Sequence, residues 1–156
     1  KFKYIGIDLF GGKANEDEKV PNYLKKQSFS NPIKNIFYNI ILRENLNSYE
    51  SVQKFLKNFS KNITLIKGNS NKILKHLDME NIDFAFLDGG HSFETVLNDL
   101  NLVFNKISSN KDAIILCDDY EDADYITGVK RAVDQFVKEK KLKFEIIEKR
   151  FAKITI

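Results

Sequence analysis

Apolar residues recur with two different periodicities along the chain. Six short runs predict strands, at Phe2–Asp8, Ile63–Lys67, Asp83–Asp88, Ala113–Asp118, Lys143–Glu148 and Phe151–Ile156. Two of them contain continuous apolar stretches, Phe84–Leu87 and Ala113–Cys117, which is typical of strands covered on both faces in a parallel sheet. Between the runs, apolar residues return every three or four positions, as they do in amphipathic helices.

The helical stripes cover the segments between these strands. They lie at Val52–Phe59, Ile73–Leu77, Phe93–Ile107 and Val129–Val137. Asn47, with Glu50 three residues later, has the pattern of a capping box before the first of these helices. Asn31 and Pro32 open a further segment, Ile33–Ile40, which reads either as a helix with proline in its first turn or as a strand of β-branched residues.

Strands that alternate with helices predict an α/β fold with a Rossmann-like, doubly wound and mostly parallel sheet. Only Lys149 and Arg150 separate the last two strands, which is too short for a parallel crossover, so these strands should form an antiparallel hairpin. A length of 156 residues is ordinary for one domain, and we expect residues 1–156 to form a single domain.

Composition excludes several functional classes. The net charge is only +3, and no basic cluster is interleaved with aromatic residues, so we expect no nucleic-acid partner. No apolar run approaches the ~18 residues of a membrane helix, so we expect no membrane partner and a cytoplasmic location. The single cysteine, Cys117, lies inside an apolar run and is expected to be a buried structural thiol.

Polar residues end four of the predicted strands. They are Asp8, the tripeptide Gly68, Asn69 and Ser70, then Asp88, and finally the pair Asp118 and Asp119. Ligands of open α/β sheets bind beyond the carboxyl ends of the strands. A single acid in such a place is usually a cap or a turn residue, but the whole set indicates a site. Asp8 is placed to accept hydrogen bonds from a ribose diol. The acids Asp88, Asp118 and Asp119 form an oxygen set that suits Mg²⁺.

His91 follows Asp88 by three residues, after two glycines that permit a sharp turn and a close approach to a ligand. Two interpretations of His91 stay open at this point. It either helps to start the helix that Ser92 caps, or it belongs to an active site as a base, since an imidazole titrates near ~6.5.

The segments "IDFAFLDGGHSFETVLNDL", "AIILCDDY" and "GVKRAVDQF" resemble the second half of class I S-adenosylmethionine-dependent methyltransferases. They are most similar to the macrocin-type small-molecule O-methyltransferases. The resemblance runs from Ile63 to the C-terminus and includes the terminal hairpin. It implies that S-adenosylmethionine is the cofactor and that the acceptor is a small hydroxylated molecule, a sugar or a natural product. A homodimer is compatible with the resemblance, as is a monomer.

The start of the chain admits two alignments with this family. "YIGIDLFGG" resembles the family's second strand, whose terminal acid, here Asp8, binds the ribose; the family's first strand and glycine-rich loop would then be missing from this chain. Alternatively it is the first strand with Gly11 and Gly12 as its loop, in which case Ile36–Leu42 is the second strand and Glu44 the ribose acid. We favour the first alignment.

The resemblance also implies roles for the other residues. The family's loop that binds the adenine of the cofactor is matched here by Gly68, Asn69 and Ser70. Asn69 stands where the family commonly has an acid that holds the adenine amino group. Asp88 matches a metal-binding acid at the end of the family's fourth strand and is also expected to contact the cofactor. Asp118 and Asp119 match the acid pair after the fifth strand, which completes the expected metal site. Gly90 replaces a second acid of the metal-dependent branch.

His91 matches the general base of some sugar O-methyltransferases. Two other functions remain as alternatives. One is a non-catalytic domain that binds a nucleotide-type ligand. The other is a nucleotide-dependent oxidoreductase, which is disfavoured because no G-x-G-x-x-G follows a strand.

Overall fold

The computed structural model describes residues 2–10, 29–79, 82–107, 110–121 and 128–156. These residues fall into two compact units, Lys1–Asn69 and Ser70–Ile156, each of which is described by itself. The candidate loop Gly11 and Gly12 lies outside the described residues, and a single domain stays a prediction. No helix in the described ranges is long and apolar enough to cross a membrane.

The first unit contains a two-stranded parallel sheet and short helices. Strand β1, Tyr4–Asp8, pairs with β2, Ile63–Lys67, so that Asp8 lies opposite Lys67. The helical segments are α1 (Pro32–Ile36), a π-helical turn (Phe37–Ile41), α2 (Tyr49–Phe55) and a 3₁₀ turn (Lys57–Phe59).

Side-chain caps explain where these helices begin. Asn31 caps α1 through its side chain, and Pro32 occupies the first helical position, so the segment that admitted two interpretations is helical. The Ser48 side chain accepts a hydrogen bond from the backbone N–H of Ser51 at 3.2 Å and caps α2. The predicted cap, Asn47, was therefore wrong by one residue.

The pairing of β1 with β2 decides between the two alignments with the methyltransferase family. In the doubly wound order 3-2-1-4-5-6, strand 2 neighbours strand 3, whereas strand 1 does not. The direct pairing therefore fits β1 as the second strand and β2 as the third. The alternative also required a strand at Ile36–Leu42, where the structure has helical residues. That alternative, with Glu44 as the ribose acid, was wrong.

The second unit is built on a four-stranded sheet in the order β3-β4-β6-β5. Strands β3 (Phe84–Leu87) and β4 (Ile114–Cys117) are parallel, and β6 (Phe151–Thr155) runs antiparallel to both β4 and β5 (Lys143–Ile147). The terminal hairpin is thereby confirmed. Its turn is tight because Glu148 and Lys149 both adopt left-handed backbone conformations, with φ of 54° and 53°.

The described residues of this unit also form the helices α3 (Ser70–His76), α4 (Phe93–Ile107) and α5 (Val129–Lys140). Helices α4 and α5 pack together, with the rings of Phe104 and Phe136 edge to face at 5.6 Å. Every described apolar side chain that is less than a tenth exposed lies in this unit, including the fully covered Leu100, Ile115, Phe136 and Ile154. The core therefore supports the carboxyl ends of β3 and β4.

One expectation about the sheet was wrong. The continuous apolar run of β3 predicted cover on both faces, but the face that carries Phe84 and Phe86 is about half exposed. In β4, which has a neighbour on each side, Ile115 and Cys117 are buried.

Candidate active site

The structure places the predicted site residues in both units. Asp8, Gly68 and Asn69 belong to the first unit, whereas Ser70, Asp88, His91, Asp118 and Asp119 belong to the second.

The carboxyl ends of β1 and β2 meet in the first unit. The backbone N–H of Gly68 donates to the carbonyl oxygen of Asp8 at 2.9 Å, which brings Asn69 to the same edge of the sheet as Asp8. Gly68 has a φ of 153°, which residues with a Cβ rarely adopt, so glycine is required there. The Asp8 side chain is exposed, and one of its oxygens accepts a hydrogen bond from the Phe10 N–H at 2.5 Å. This edge therefore carries an exposed carboxylate, with Asn69 in the loop that follows β2.

At the start of α3, Ser70 and Asn71 contact a buried acid that sequence analysis missed. The hydroxyl of Ser70 donates to Oδ2 of Asp99 at 2.8 Å, and the amide of Asn71 donates to Oδ1 at 2.7 Å. Asp99 is only 7% exposed. Its signal in the sequence was an acid inside the apolar stripe of α4.

A cleft lies at the carboxyl ends of β3 and β4, and it contains four of the predicted residues. Its volume is about 20 Å³, room for about one water molecule. The lining side chains include Asp88, His91, Asp99, Asp118 and Asp119. The predicted meeting of an acid, a histidine and an acid pair at one corner is therefore present within the second unit, as a small polar cleft.

His91 and Asp119 form a pair within this cleft. Nε2 of His91 lies 3.0 Å from Oδ2 of Asp119, and both side chains are partly buried. Asp119 has a φ of 58°, a left-handed conformation that aspartate tolerates better than most residues. A carboxylate at this distance fixes the orientation of an imidazole and selects its tautomer. The arrangement is that of a base with an orienting acid.

The backbone of His91 lies close against Gly128, a residue that the sequence did not single out. A Cβ on Gly128 would overlap the carbonyl oxygen of His91 and come within 3.2 Å of the Phe93 N–H nitrogen. The two glycines that were expected to permit a sharp turn, Gly89 and Gly90, behave differently. Neither Gly89 nor Gly90 has a positive φ, and a Cβ on Gly89 would meet only the Asp99 carboxylate, at 3.9 Å. The close approach in this corner is thus made at Gly128.

Asp118 forms an ion pair with Arg150. Oδ1 of Asp118 accepts from Nε of Arg150 at 2.5 Å, and Oδ2 accepts from Nη2 at 2.6 Å. Burial acts to raise the pKa of the Asp118 carboxyl group, but hydrogen bonds from Arg150 and from the backbone of Asp119 outweigh it. The pKa of Asp118 is therefore lowered, and Asp118 carries its charge at neutral pH.

Asp88 is exposed beside these charges. Its pKa is raised, first by desolvation and then by repulsion from Asp118 and Asp119, while His91 and Arg150 act in the opposite direction. Within the described ranges, no three His, Cys, Asp or Glu side chains are arranged to hold a metal ion. The predicted three-carboxylate site for Mg²⁺ is therefore not formed, because Asp118 is paired with Arg150 and Asp119 with His91.

Cys117 and Tyr120, which flank the acid pair, are both buried. Cys117 is buried, as predicted, and burial raises its pKa to about 12. Tyr120, which follows the acid pair, is 2% exposed and does not line the cleft. Its hydroxyl donates to Asp134 at 2.6 Å and accepts from Lys130 at 2.7 Å.

Comparisons with known proteins agree with this architecture. The solved O-methyltransferase NovP superposes with a TM-score of 0.66 at 16% identity, over 98% of this chain and 59% of that one. CalS11, described as a TDP-rhamnose 3'-O-methyltransferase of calicheamicin biosynthesis, gives a TM-score of 0.54 at 14% identity, over 98% and 58%. At such identities the likeness shows the fold.

A sequence relative comes from Acanthamoeba polyphaga mimivirus. This uncharacterized protein is 38% identical over 72 residues, which are 42% of this chain and 32% of its own length. The chain thus spans about a third of that relative and under two thirds of either solved structure. A family model described as a methyltransferase domain matches residues 2–120. The chain belongs to this methyltransferase-domain family and has the fold of class I S-adenosylmethionine-dependent methyltransferases.

Proposed function

We propose that this chain transfers the methyl group of S-adenosylmethionine to a hydroxyl oxygen of a small acceptor, with His91 as the general base. The observation that carries the proposal is the His91–Asp119 pair, 3.0 Å apart in a cleft at the carboxyl ends of two strands. Ligands of this fold class bind at these strand ends.

The chemistry assigns a separate task to each residue of the pair. When bound, S-adenosylmethionine supplies a methyl carbon, to which the acceptor oxygen forms a bond while the electron pair of the carbon–sulfur bond passes to sulfur. His91 accepts the proton that the hydroxyl loses, which makes the oxygen a better nucleophile. Asp119 holds the ring in place and stabilises the imidazolium that forms. The tautomer with its proton on Nε2 donates to Asp119 and leaves Nδ1 as the basic nitrogen.

Residues at the strand ends are proposed to bind the cofactor. The exposed carboxylate of Asp8 is suited to accept hydrogen bonds from the ribose hydroxyls. The amide oxygen of Asn69, beyond the turn that Gly68 allows, is suited to accept from the adenine amino group. Ser70 contributes to this loop through its hydrogen bond to Asp99, and Asp88, which lines the cleft, is proposed to contact the cofactor.

The proposed acceptor is a sugar or a natural product. Support comes from the likeness to NovP, an O-methyltransferase, and to CalS11, whose description names a hydroxyl of TDP-rhamnose. The absence of nucleic-acid and membrane partners, a cytoplasmic location and a homodimer all stay predictions. Metal assistance is not part of the proposal, because the acids do not form a metal site.

Transfer of tritiated methyl from S-adenosylmethionine to a panel of nucleotide sugars and phenols tests the proposed function. We expect labelled product, and S-adenosylhomocysteine, with at least one acceptor, and none with the acceptor whose hydroxyl is already methylated. Binding of S-adenosylhomocysteine without turnover on the panel would instead favour a non-catalytic domain. Oxidation or reduction of a bound dinucleotide would favour an oxidoreductase.

A further inference from the structure

The carboxylate of Asp118 already has its hydrogen bonds from the protein. Oδ1 accepts from Nε of Arg150 and from the backbone N–H of Asp119, the latter at 2.7 Å, while Oδ2 accepts from Nη2 of Arg150. The Asp118 side chain is 4% exposed. Three of the roughly four lone-pair positions of this carboxylate are thus used, and a metal ion would have to compete with the guanidinium for both of its oxygens.

Arg150 is held in place by its backbone as well as by its side chain. It ends the tight turn between β5 and β6, and its carbonyl oxygen accepts a hydrogen bond from the N–H of Tyr120 at 2.8 Å. Arg150 therefore contacts both ends of the segment 118–120, Asp118 through its guanidinium and Tyr120 through its carbonyl oxygen. Nη2 of Arg150 also lies 3.9 Å from Oδ1 of Asp119, the residue that pairs with His91.

We propose that the guanidinium of Arg150 takes the place of a divalent cation at the acid pair Asp118 and Asp119, so that this site works without a metal. A planar guanidinium matches the two oxygens of a carboxylate, which a lysine ammonium does not. Its positive charge neutralises the buried acid and repels a second cation nearby. Arg150 is accordingly a positioning residue, which fixes Asp118 and thereby the neighbouring Asp119 that orients His91.

This inference deepens the proposed function at the same cleft, but its tests measure metal binding and folding stability. It can therefore fail while methyl transfer is confirmed, and the reverse also holds. The probe is Mn²⁺ alone, titrated into the protein and followed by the loss of the free-ion signal in electron paramagnetic resonance. The variants are Arg150→Met, which keeps the aliphatic length, and Arg150→Lys. Lys149→Met, on the same exposed turn, is the matched control for charge.

We expect neither wild type nor Lys149→Met to bind Mn²⁺ at this acid pair. Adding Asp118→Asn to either protein should therefore leave its Mn²⁺ binding unchanged. Arg150→Met should bind Mn²⁺ at least about tenfold more tightly than wild type. The substitution removes a positive charge a few ångströms from the acids, and repulsion between two cations at that distance is appreciable even at the dielectric of water. Its midpoint of thermal unfolding should fall below that of Lys149→Met and rise again when Mn²⁺ is added. Arg150→Lys should lie between, because it restores the charge without the two-pronged contact.

Two results would overturn the inference. One is a Mn²⁺ site in the wild type that Asp118→Asn abolishes, since the acids would then prefer a metal to Arg150. The other is a pair of indistinguishable unfolding midpoints and Mn²⁺ affinities for Arg150→Met and Lys149→Met. If Arg150→Met does not fold, the wild-type titration with its Asp118→Asn control decides the question alone.

Discussion

Gly128→Ala should damage the site at the start of α5, where Gly128 is the N-cap. The backbone of Gly128 is right-handed, with φ of −90° and ψ of −63°, so alanine meets no conformational barrier there. The penalty is steric, because the new Cβ would overlap the carbonyl oxygen of His91. This contact is with backbone, and no rotamer change relieves it.

The expected magnitude follows from the displacement. To reach ordinary contact distance, the His91 backbone or the start of α5 must move by on the order of 1 Å, and a shift of that size costs about 10²-fold in rate. Overpacking of this kind destabilises a fold by ~1–3 kcal/mol. For a chain of this size, the midpoint of thermal unfolding should drop by roughly 2–10 °C.

Gly89→Ala provides the control. It adds the same methyl group to the same corner, but its Cβ would meet only the Asp99 carboxylate at an ordinary contact distance of 3.9 Å. Thermal unfolding followed by circular dichroism, with the imidazole resonances of His91 in NMR spectra, compares the two variants. Gly128→Ala should lose stability and shift the His91 resonances, and Gly89→Ala should do neither. Equal stability and equal His91 resonances in the two variants would refute the steric argument.

Two further predictions concern the same cleft and its supporting strand. His91→Ala and Asp119→Asn should each lower turnover by about 10²–10⁴-fold with little change in S-adenosylhomocysteine affinity, and the double variant should be no worse. If the two losses of turnover instead multiplied in the double variant, the residues would not act as a unit. Because burial raises the pKa of Cys117 to about 12, its contribution to stability is complete below pH ~9 and is lost as pH rises toward 12, on the order of 4 kcal/mol in all. Between pH 8 and ~10.5, the free energy of unfolding measured in urea should fall more steeply with pH in wild type than in Cys117→Ala. Parallel pH dependences of the two proteins would contradict this expectation.

Local patterns in the sequence were sufficient for most of the fold. The six strands appear within two residues of their predicted ends, because uninterrupted apolar runs such as Ile114–Cys117 have few alternatives. The two-residue gap after the fifth run predicted the hairpin for a geometric reason. The helix at Pro32–Ile36 was ambiguous, since its β-branched residues favour strands while Asn31 and Pro32 favour a helix.

The polar contacts of the site were less predictable. Sequence analysis identified Asp88, His91, Asp118 and Asp119 as one corner, and the cleft contains all four. It assigned the acids to a metal because nothing local pairs Asp118 with Arg150, which is 32 residues away. The contact depends on the antiparallel hairpin carrying Arg150 past the end of β4, which is a property of the tertiary fold.

Calorimetric titration of S-adenosylhomocysteine into the wild type and Asp8→Asn, with NADH as the comparison ligand, tests the central claim most directly. The account predicts one site for S-adenosylhomocysteine, about tenfold or more weaker in Asp8→Asn because a charged hydrogen-bond acceptor for the ribose is lost, and no site for NADH. Binding of NADH with none of S-adenosylhomocysteine would contradict it.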